Sequence, residues 1–324
     1  MTSKKGRDPM TYFLIFLGLA AAITAVVLLI AYICFRMAFY APRKLSTPEE
    51  YPLPQGEIYR PHRDTFVNWI REVRQMPCRE FSIRSFDGLT LHAKFYEYAP
   101  GAPIELMFHG YRGNSESDLC GGVQRCFTLG HSAFIVDQRA CGKSSGNIIS
   151  FGVNESRDCH SWLAFMEKEF GAEAKIILTG ISMGASTVLM AGGSPLPRSV
   201  VGILADCGFT SAKDIIQVVI SGMKLPPKLA YPFVRLGAKF FGGFDLEKDP
   251  AIDAVKRCKV PVIFFHGEAD DFVPCYMSQQ NFDACAASKK QLVNVPGAGH
   301  GLCYVIDPER YLQEMRDFFE EISI

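Results

Sequence analysis

One short turn constrains the fold of this chain more than any other segment. Residues 180–184 read Gly-Ile-Ser-Met-Gly. The residues before the turn, 175–179, favour a buried strand, and the residues after it, 185–190, favour a helix. A serine that joins a strand directly to a helix adopts strained backbone geometry, so glycines two positions away are needed to let neighbouring backbones approach. The sequence therefore predicts a strand-turn-helix unit with Ser182 at its tip.

An acid and a histidine follow this turn. Asp270 lies in the segment His-Gly-Glu-Ala-Asp-Asp-Phe-Val-Pro at 266–274, and His300 lies in Gly-Ala-Gly-His-Gly at 297–301. A serine hydroxyl is a weak nucleophile unless a neutral imidazole takes its proton and a carboxylate fixes the tautomer of that imidazole. The chain supplies these three groups in the order serine, acid, histidine.

The order serine, acid, histidine along the chain resembles that of the α/β-hydrolase superfamily, and the resemblance covers roughly residues 80 to 322. It is most similar to membrane-anchored bacterial serine hydrolases of the serine aminopeptidase-like or lysophospholipase-like branch. Residues 108–114, Phe-His-Gly-Tyr-Arg-Gly-Asn, resemble the oxyanion segment of that family. Residues 137–144 resemble its Asp-x-Arg-Gly-x-Gly-x-Ser loop, with Ala140 in place of the usual glycine.

Several nearby residues compete for the role of acid or base. Asp270 and Asp271 are adjacent, and their side chains point in different directions, so one of them can reach the histidine. Family spacing selects Asp270 and leaves Asp271 as a solvated turn residue. Asp206 is the remaining candidate acid, and we interpret it as ordering the loop after its strand. His109 and His266 each precede a glycine at a strand end and are interpreted as structural hydrogen-bonding residues.

The remaining chemistry is limited. The resemblance implies an oxyanion hole formed by the backbone amides of Tyr111 and Met183. The seven histidines form no His-Glu-x-x-His motif, and no Cys-x-x-Cys pair occurs, so no metal site is predicted. Glycine patterns that cradle phosphates are missing as well, so we expect no cofactor.

The N-terminal segment, residues 12–35, is almost unbroken apolar and long enough to cross a hydrocarbon core of about 30 Å as a helix. We predict a retained single-pass anchor in the cell membrane. A cleaved signal peptide and a buried core helix are the alternatives. Basic residues on the two sides nearly balance, and the resemblance favours a catalytic domain outside the cytoplasm. Eleven cysteines without a paired spacing pattern instead favour a reducing compartment.

The chain divides into three parts. Residues 1–40 form the tail and anchor, residues 41–56 a proline-rich linker, and residues 57–324 an α/β-hydrolase domain with a small helical cap at about 213–245. Alternating strands and helices predict a mostly parallel central sheet with helices on both faces. Because the prolines separate the anchor from the domain, we expect residues 1–40 to be dispensable for chemistry. We expect Phe241 to face an acyl pocket, the alternative being a cap that only covers the sheet.

Composition restricts the partners. The formal net charge is +0, and no basic stripe with interleaved aromatics occurs, which excludes the electrostatic pattern of nucleic-acid binding. The sequence favours a serine hydrolase that cleaves a carboxylic ester, thioester or amide through an acyl-enzyme on Ser182. Its expected substrate is a small-molecule or lipid-like acyl compound. Peptidase-like or acyltransferase activity of the same triad, and a non-catalytic binding protein of this fold, are the alternatives. The oligomeric state does not follow from the sequence.

Overall fold

The computed structural model describes residues 9–42, 51, 53–54 and 56–322. Most of the predicted linker, residues 43–50, 52 and 55, lies outside these ranges. We refer to residues 57–322 as the α/β domain.

The first element is a long apolar helix, α1 (Pro9–Ala38). At 1.5 Å per residue it is about 45 Å long. Among the described residues it is the one helix long and apolar enough to cross a membrane, with a mean hydropathy of 2.9 in its most apolar window, none of which is buried. A signal sequence can also form an apolar helix near the N-terminus, so this finding is compatible with either an anchor or a signal.

Eight strands form a single sheet in the order β1-β2-β4-β3-β5-β6-β7-β8. β2 runs antiparallel to β1 and β4, and every other neighbouring pair is parallel. The strands are β1 (Arg79–Arg84), β2 (Thr90–Tyr96), β3 (Ile104–Phe108), β4 (Ser132–Asp137), β5 (Ile176–Ile181), β6 (Val200–Asp206), β7 (Val262–Gly267) and β8 (Lys290–Val295). The predicted, mostly parallel sheet is confirmed.

Helices cover both faces of this sheet. They are α2 (Arg63–Gln75), α3 (Ser115–Leu129), α4 (Glu155–Phe170), α5 (Met183–Gly192), α6 (Ala212–Gly222), α7 (Pro227–Gly237), α8 (Ala251–Ala254), α9 (Tyr276–Ala284), α10 (Cys303–Ile306) and α11 (Pro308–Glu321). Strand side chains alternate between the faces. Leu106 and Leu178 belong to the larger core, which α4 and α5 cover, whereas Met107 and Ile177 pack under α2, α3 and α11.

The predicted cap consists of α6, α7 and a π-helical turn, Ala238–Gly242, and it packs against the last turns of α1. Ala31, Phe35 and Phe39 are fully or almost fully buried there. The chain after α1 then pairs with the α/β domain, since Tyr40 forms an antiparallel bridge with Ile148. The end of α1 is therefore part of the hydrophobic core, and core contacts begin before the prolines of the linker. That residues 1–40 are dispensable for chemistry stays a prediction.

Phe241 also differs from the expectation. Its ring lies 5.2 Å from the ring of Tyr32 and 6.1 Å from that of Phe35, both in α1, and its side chain remains partly exposed. The expectation that Phe241 faces inward is wrong, because α1 packs on this side of the cap.

Candidate active site

Ser182 stands between β5, which ends at Ile181, and α5, which begins at Met183. Its φ is 57°, a backbone conformation that residues with a side chain rarely adopt. A Cβ added to Gly180 would lie 2.2 Å from the Gly184 carbonyl, and one added to Gly184 would lie 2.0 Å from the Phe108 carbonyl oxygen. Both glycines are therefore required by close backbone packing, as the sequence predicts.

His300 connects the serine to the acid. It lies in the loop after β8, with Nε2 2.9 Å from Ser182 Oγ and Nδ1 2.7 Å from Asp270 Oδ2. A carboxylate accepts hydrogen bonds, so Nδ1 carries the proton and Nε2 is left to accept the serine hydroxyl. The structure thus brings the three predicted side chains into one hydrogen-bonded chain, and all three residues are buried.

The Asp270 carboxylate is held by its own loop. Oδ1 accepts hydrogen bonds from the backbone amides of Phe272 at 2.9 Å and Val273 at 2.8 Å. His266 Nε2 lies 3.2 Å from Oδ2. Burial acts to raise the pKa of Asp270, but the hydrogen bonds from His266 and His300 outweigh it and hold the pKa well below its usual range. The carboxylate is therefore ionised and suited to stabilise an imidazolium.

The two competing acids lie elsewhere. Asp271 is exposed. Asp206 is buried at the end of β6, where its Oδ2 accepts a hydrogen bond of 3.0 Å from the Tyr311 hydroxyl. Its backbone carbonyl accepts the Ser182 amide at 2.8 Å, so Asp206 contributes to the geometry of the serine turn. Neither acid hydrogen-bonds to His300.

The other two strand-end histidines make structural hydrogen bonds. His109 Nε2 accepts the Gln138 amide at 3.0 Å, so its protonated Nδ1 donates to the Gly110 carbonyl at 2.8 Å. His266 Nε2 donates to the Val273 carbonyl at 2.8 Å. His266 therefore supports the loop that carries the acid.

The segment predicted to supply an oxyanion donor lies beside the serine. A Cβ added to Gly110 would lie 3.5 Å from Ser182 Cβ and 3.8 Å from its Oγ. The Gly110 amide donates to Asp118 Oδ2 at 3.0 Å, which holds this loop against α3, and Tyr111 follows directly. On the other side, the Met183 amide is the first of α5 and has no partner within its helix. Their assignment as oxyanion donors remains a prediction.

The same segment contacts α1, which the sequence did not indicate. The Tyr111 hydroxyl donates to the Ala38 carbonyl at 2.7 Å. The Arg112 guanidinium donates to the carbonyls of Met37 at 2.8 Å and Tyr40 at 3.1 Å. These carbonyls end or directly follow α1, where the helix cannot satisfy them itself. The loop beside Ser182 is therefore joined to the end of α1.

Cys207 is a further neighbour that the sequence did not single out. It follows β6 with a φ of 48° and is buried. Its thiol, a carboxylate oxygen of Asp270 and a ring nitrogen of His300 all lie within 4.8 Å of one another, as in a metal site. Burial raises the pKa of the Cys207 thiol well above its ordinary value, whereas metals bind the thiolate. Since Asp270 and His300 also bind each other, these groups fit a neutral thiol beside the triad better than a metal site.

The loop at 137–144 holds the start of α3, which directly follows residues 108–114. The Asp137 carboxylate accepts the amides of Ser115 at 3.0 Å and Lys143 at 2.8 Å. Ala140 has a φ of 62°, a left-handed backbone conformation that favours glycine. The loop therefore keeps its left-handed residue although alanine replaces glycine.

Comparison with known proteins agrees with this geometry. A family model described as "alpha/beta hydrolase fold" matches residues 106–251. The chain has the α/β-hydrolase fold. Protein bem46 of Schizosaccharomyces pombe (strain 972) is 27% identical over 256 residues, covering 77% of this chain and 79% of bem46. YqkD of Bacillus subtilis (strain 168) is 23% identical over 312 residues, covering 95% of this chain and 98% of YqkD. Because the match to YqkD covers 95% of this chain, it extends beyond the α/β domain into α1.

Solved structures of esterases share the fold. The Pyrococcus furiosus esterase Pf2001 superposes with a TM-score of 0.64 at 17% identity, covering 88% of this chain and 98% of the esterase. Est1E from Butyrivibrio proteoclasticus, solved with bound ferulic acid, has a TM-score of 0.58 at 20% identity, covering 74% of this chain and 98% of Est1E. At these identities the likeness establishes the fold and leaves the substrate open.

Proposed function

We propose that this protein is a membrane-anchored serine hydrolase that cleaves a carboxylic ester, thioester or amide through an acyl-enzyme on Ser182. The observation that carries the proposal is the hydrogen-bonded chain from Asp270 through His300 to Ser182, with the serine at a strained turn. The fold, shared with solved esterases, supports an esterase-like reaction.

The geometry fits acyl transfer in two steps. In the first, Ser182 Oγ attacks the acyl carbonyl while His300 Nε2 takes the hydroxyl proton, and the Asp270 carboxylate stabilises the imidazolium. The amides of Tyr111 and Met183 donate to the oxyanion of the tetrahedral intermediate. The intermediate then collapses, and His300 returns the proton to the leaving alcohol, thiol or amine.

In the second step a water molecule gives a proton to His300 Nε2 and attacks the acyl-enzyme. Collapse of this second intermediate releases the carboxylic acid and restores the Ser182 hydroxyl. An acyltransferase would replace the water with another acceptor at this step. A series of p-nitrophenyl esters of increasing chain length, assayed beside aminoacyl-anilides, separates esterase-like from peptidase-like preference.

A fluorophosphonate probe tests the nucleophile directly. We expect one covalent adduct on Ser182 of the full-length protein in detergent and none on a Ser182→Ala variant. A folded wild-type protein that acquires no adduct would overturn the enzyme assignment and favour a binding protein of the same fold.

The anchor and its orientation are part of the proposal. We propose that α1 is retained, spans the membrane once and leaves the α/β domain outside the cytoplasm. Mass spectrometry of the membrane-extracted protein is expected to find peptides from residues 9–38, which a cleaved signal would remove. Protease added to intact cells is expected to digest the α/β domain, and protection until lysis would reverse the orientation.

A further inference from the structure

The cap carries exposed apolar residues that the proposed chemistry does not use. Outside α1, twelve large apolar side chains of the described residues are exposed, and six of these lie in the cap. We call these six the cap surface: Val219, Met223, Leu225, Leu229, Phe240 and Phe241. Single exposed apolar residues are ordinary in a folded protein, whereas a concentration of them in one part of the molecule indicates a partner.

Most charges in the cap are positive. Residues 215–244 contain Lys224, Lys228, Arg235 and Lys239 and no acid, and Asp214 and Asp245 lie directly on either side of this segment. Arg235 pairs with Glu247 at 3.2 Å. The three lysines are exposed, and among the described residues no carboxylate pairs with them. Apolar side chains mixed with unpaired lysines are typical of surfaces that bind anionic lipid headgroups.

The cap lies where α1 leaves its most apolar stretch. The α7 backbone touches α1, since a Cβ added to Gly237 would lie 2.5 Å from the Ala31 carbonyl oxygen. Residues 9–35 contain no charged side chain, and the first is Arg36. Ala31 precedes Arg36 by five residues, or about 7.5 Å along the helix axis. The cap therefore contacts α1 within two turns of the end of the span.

The end of α1 has the composition of a membrane interface. The Arg36 guanidinium stacks at 4.0 Å on the ring of Tyr40, and Tyr32 packs on Phe241 of the cap surface. Tyrosine and arginine concentrate at the level of lipid headgroups. Packing on Tyr32 holds Phe241, and with it this end of the cap, at the same level as the end of α1.

We propose that the cap surface lies in the headgroup and upper acyl region of the leaflet from which α1 emerges, so that its partner is the lipid bilayer. The inference extends the proposed function, on which its substrate consequence rests. A hydrolase held with its cap against the leaflet takes an acyl ester that is dissolved in that leaflet. A second copy of this chain is the competing occupant.

Quenching by brominated lipid tests the contact without relying on activity. Full-length Phe240→Trp protein is reconstituted in phosphatidylcholine and phosphatidylglycerol vesicles with or without bromine on the acyl chains. Wild-type protein supplies the emission of the native Trp69 and Trp162 for subtraction. We expect the added emission to fall by about half in brominated vesicles, because interfacial residues lie at the headgroup and acyl boundary.

The matched control is Tyr98→Trp, at an exposed aromatic residue between β2 and β3, outside the cap. Its added emission is expected to be the same in both vesicles. Equal quenching of the two variants, or none for folded Phe240→Trp, overturns the proposal. If the Phe240→Trp emission instead changes only with the protein-to-lipid ratio, the cap surface is covered by a second copy and the proposal is wrong.

A second variant separates this inference from the proposed function. Leu229→Glu is expected to lower turnover of a vesicle-borne long-chain ester about tenfold, because it places a charge at the apolar boundary. Hydrolysis of soluble p-nitrophenyl acetate and probe labelling of Ser182 are expected to stay unchanged. If the probe does not label Ser182 of the wild-type protein, the proposed function is wrong, but the quenching result still supports the contact between the cap surface and lipid. Equal effects of Leu229→Glu on both esters would overturn the substrate consequence alone.

Discussion

At the scale of single residues, Asp270 and Asp271 provide the sharpest test of the chemistry. We expect Asp270→Asn to lower turnover by about 10⁴, because an amide favours the wrong histidine tautomer. Asp271→Asn is the matched control and is expected to stay within a few-fold of wild type, since its side chain is exposed. Turnover of a p-nitrophenyl ester measures the effect of each substitution. If Asp271→Asn lowers turnover more than Asp270→Asn does, Asp271 is the catalytic acid.

The hydrogen-bonded arrangement of Ser182, Asp270 and His300 could be predicted because each of them lies in a local pattern just after a strand. Cys207 and Arg112 could not, although one lies beside His300 and the other contacts the end of α1. Their partners are far away along the chain, and no periodicity or motif marks such a contact. The left-handed backbone of Cys207 is marked by no local motif, whereas that of Ser182 is marked by the glycines on either side.

At the scale of elements, the strands were predictable and the packing of the cap was not. Strand positions follow from apolar runs bounded by turn residues, and the structure has the predicted alternation of strands and helices. The apolar composition of α7 is equally compatible with packing on a sheet, on another helix or against lipid. Phe241 shows the consequence, because it packs on Tyr32 of α1 rather than facing inward.

The end of α1 is expected to contribute to the stability of the α/β domain. Phe39 is fully buried, with its ring edge-on to Phe151 at 5.7 Å and Phe244 at 5.3 Å. We expect Phe39→Ala to lower the free energy of unfolding by about 3–5 kcal/mol, because it leaves a cavity in the core. Denaturant unfolding in detergent measures the change.

Phe16 in the same helix is the matched control for Phe39. Its side chain is exposed, so Phe16→Ala is expected to leave the unfolding of the α/β domain unchanged. By the same reasoning, a chain that begins at Glu57 is expected to be less stable than the full chain, because it lacks Phe35 and Phe39. If the two chains have the same free energy of unfolding, α1 does not stabilise the α/β domain, as the sequence suggested.

At the scale of the whole molecule, the candidate site is connected both to α1 and to a buried ion pair. Tyr111 and Arg112 join the loop beside Ser182 to the end of α1, so the site and the proposed anchor form one unit. Behind the site, Glu105 of β3 pairs with Arg125 of α3 and accepts the Thr179 hydroxyl of β5 at 2.9 Å. Glu105 therefore joins the central strands to α3, the helix that holds the loop beside Ser182 through Asp118.

This buried carboxylate gives the stability of the fold a predictable pH dependence. Burial acts to raise the pKa of Glu105, but the charge of Arg125 and the hydrogen bond from His131 outweigh it and lower the pKa from an ordinary 4.5 to about 2. A folded-state pKa below the unfolded value stabilises the protein above the unfolded pKa. That contribution, about 3 kcal/mol, is lost as the pH falls from about 4.5 to about 2.

Glu105→Gln isolates this contribution. The variant is expected to lose about 3–5 kcal/mol at pH 7, because it leaves the Arg125 charge buried without a partner. Its deficit relative to wild type is expected to shrink as the pH falls below about 4.5, since protonation removes the same charge from Glu105 in the wild type. Denaturant unfolding at a series of pH values measures this difference, with the exposed Glu320→Gln variant as control. A deficit that stays constant down to pH 2 would show that the Glu105 charge does not stabilise the fold.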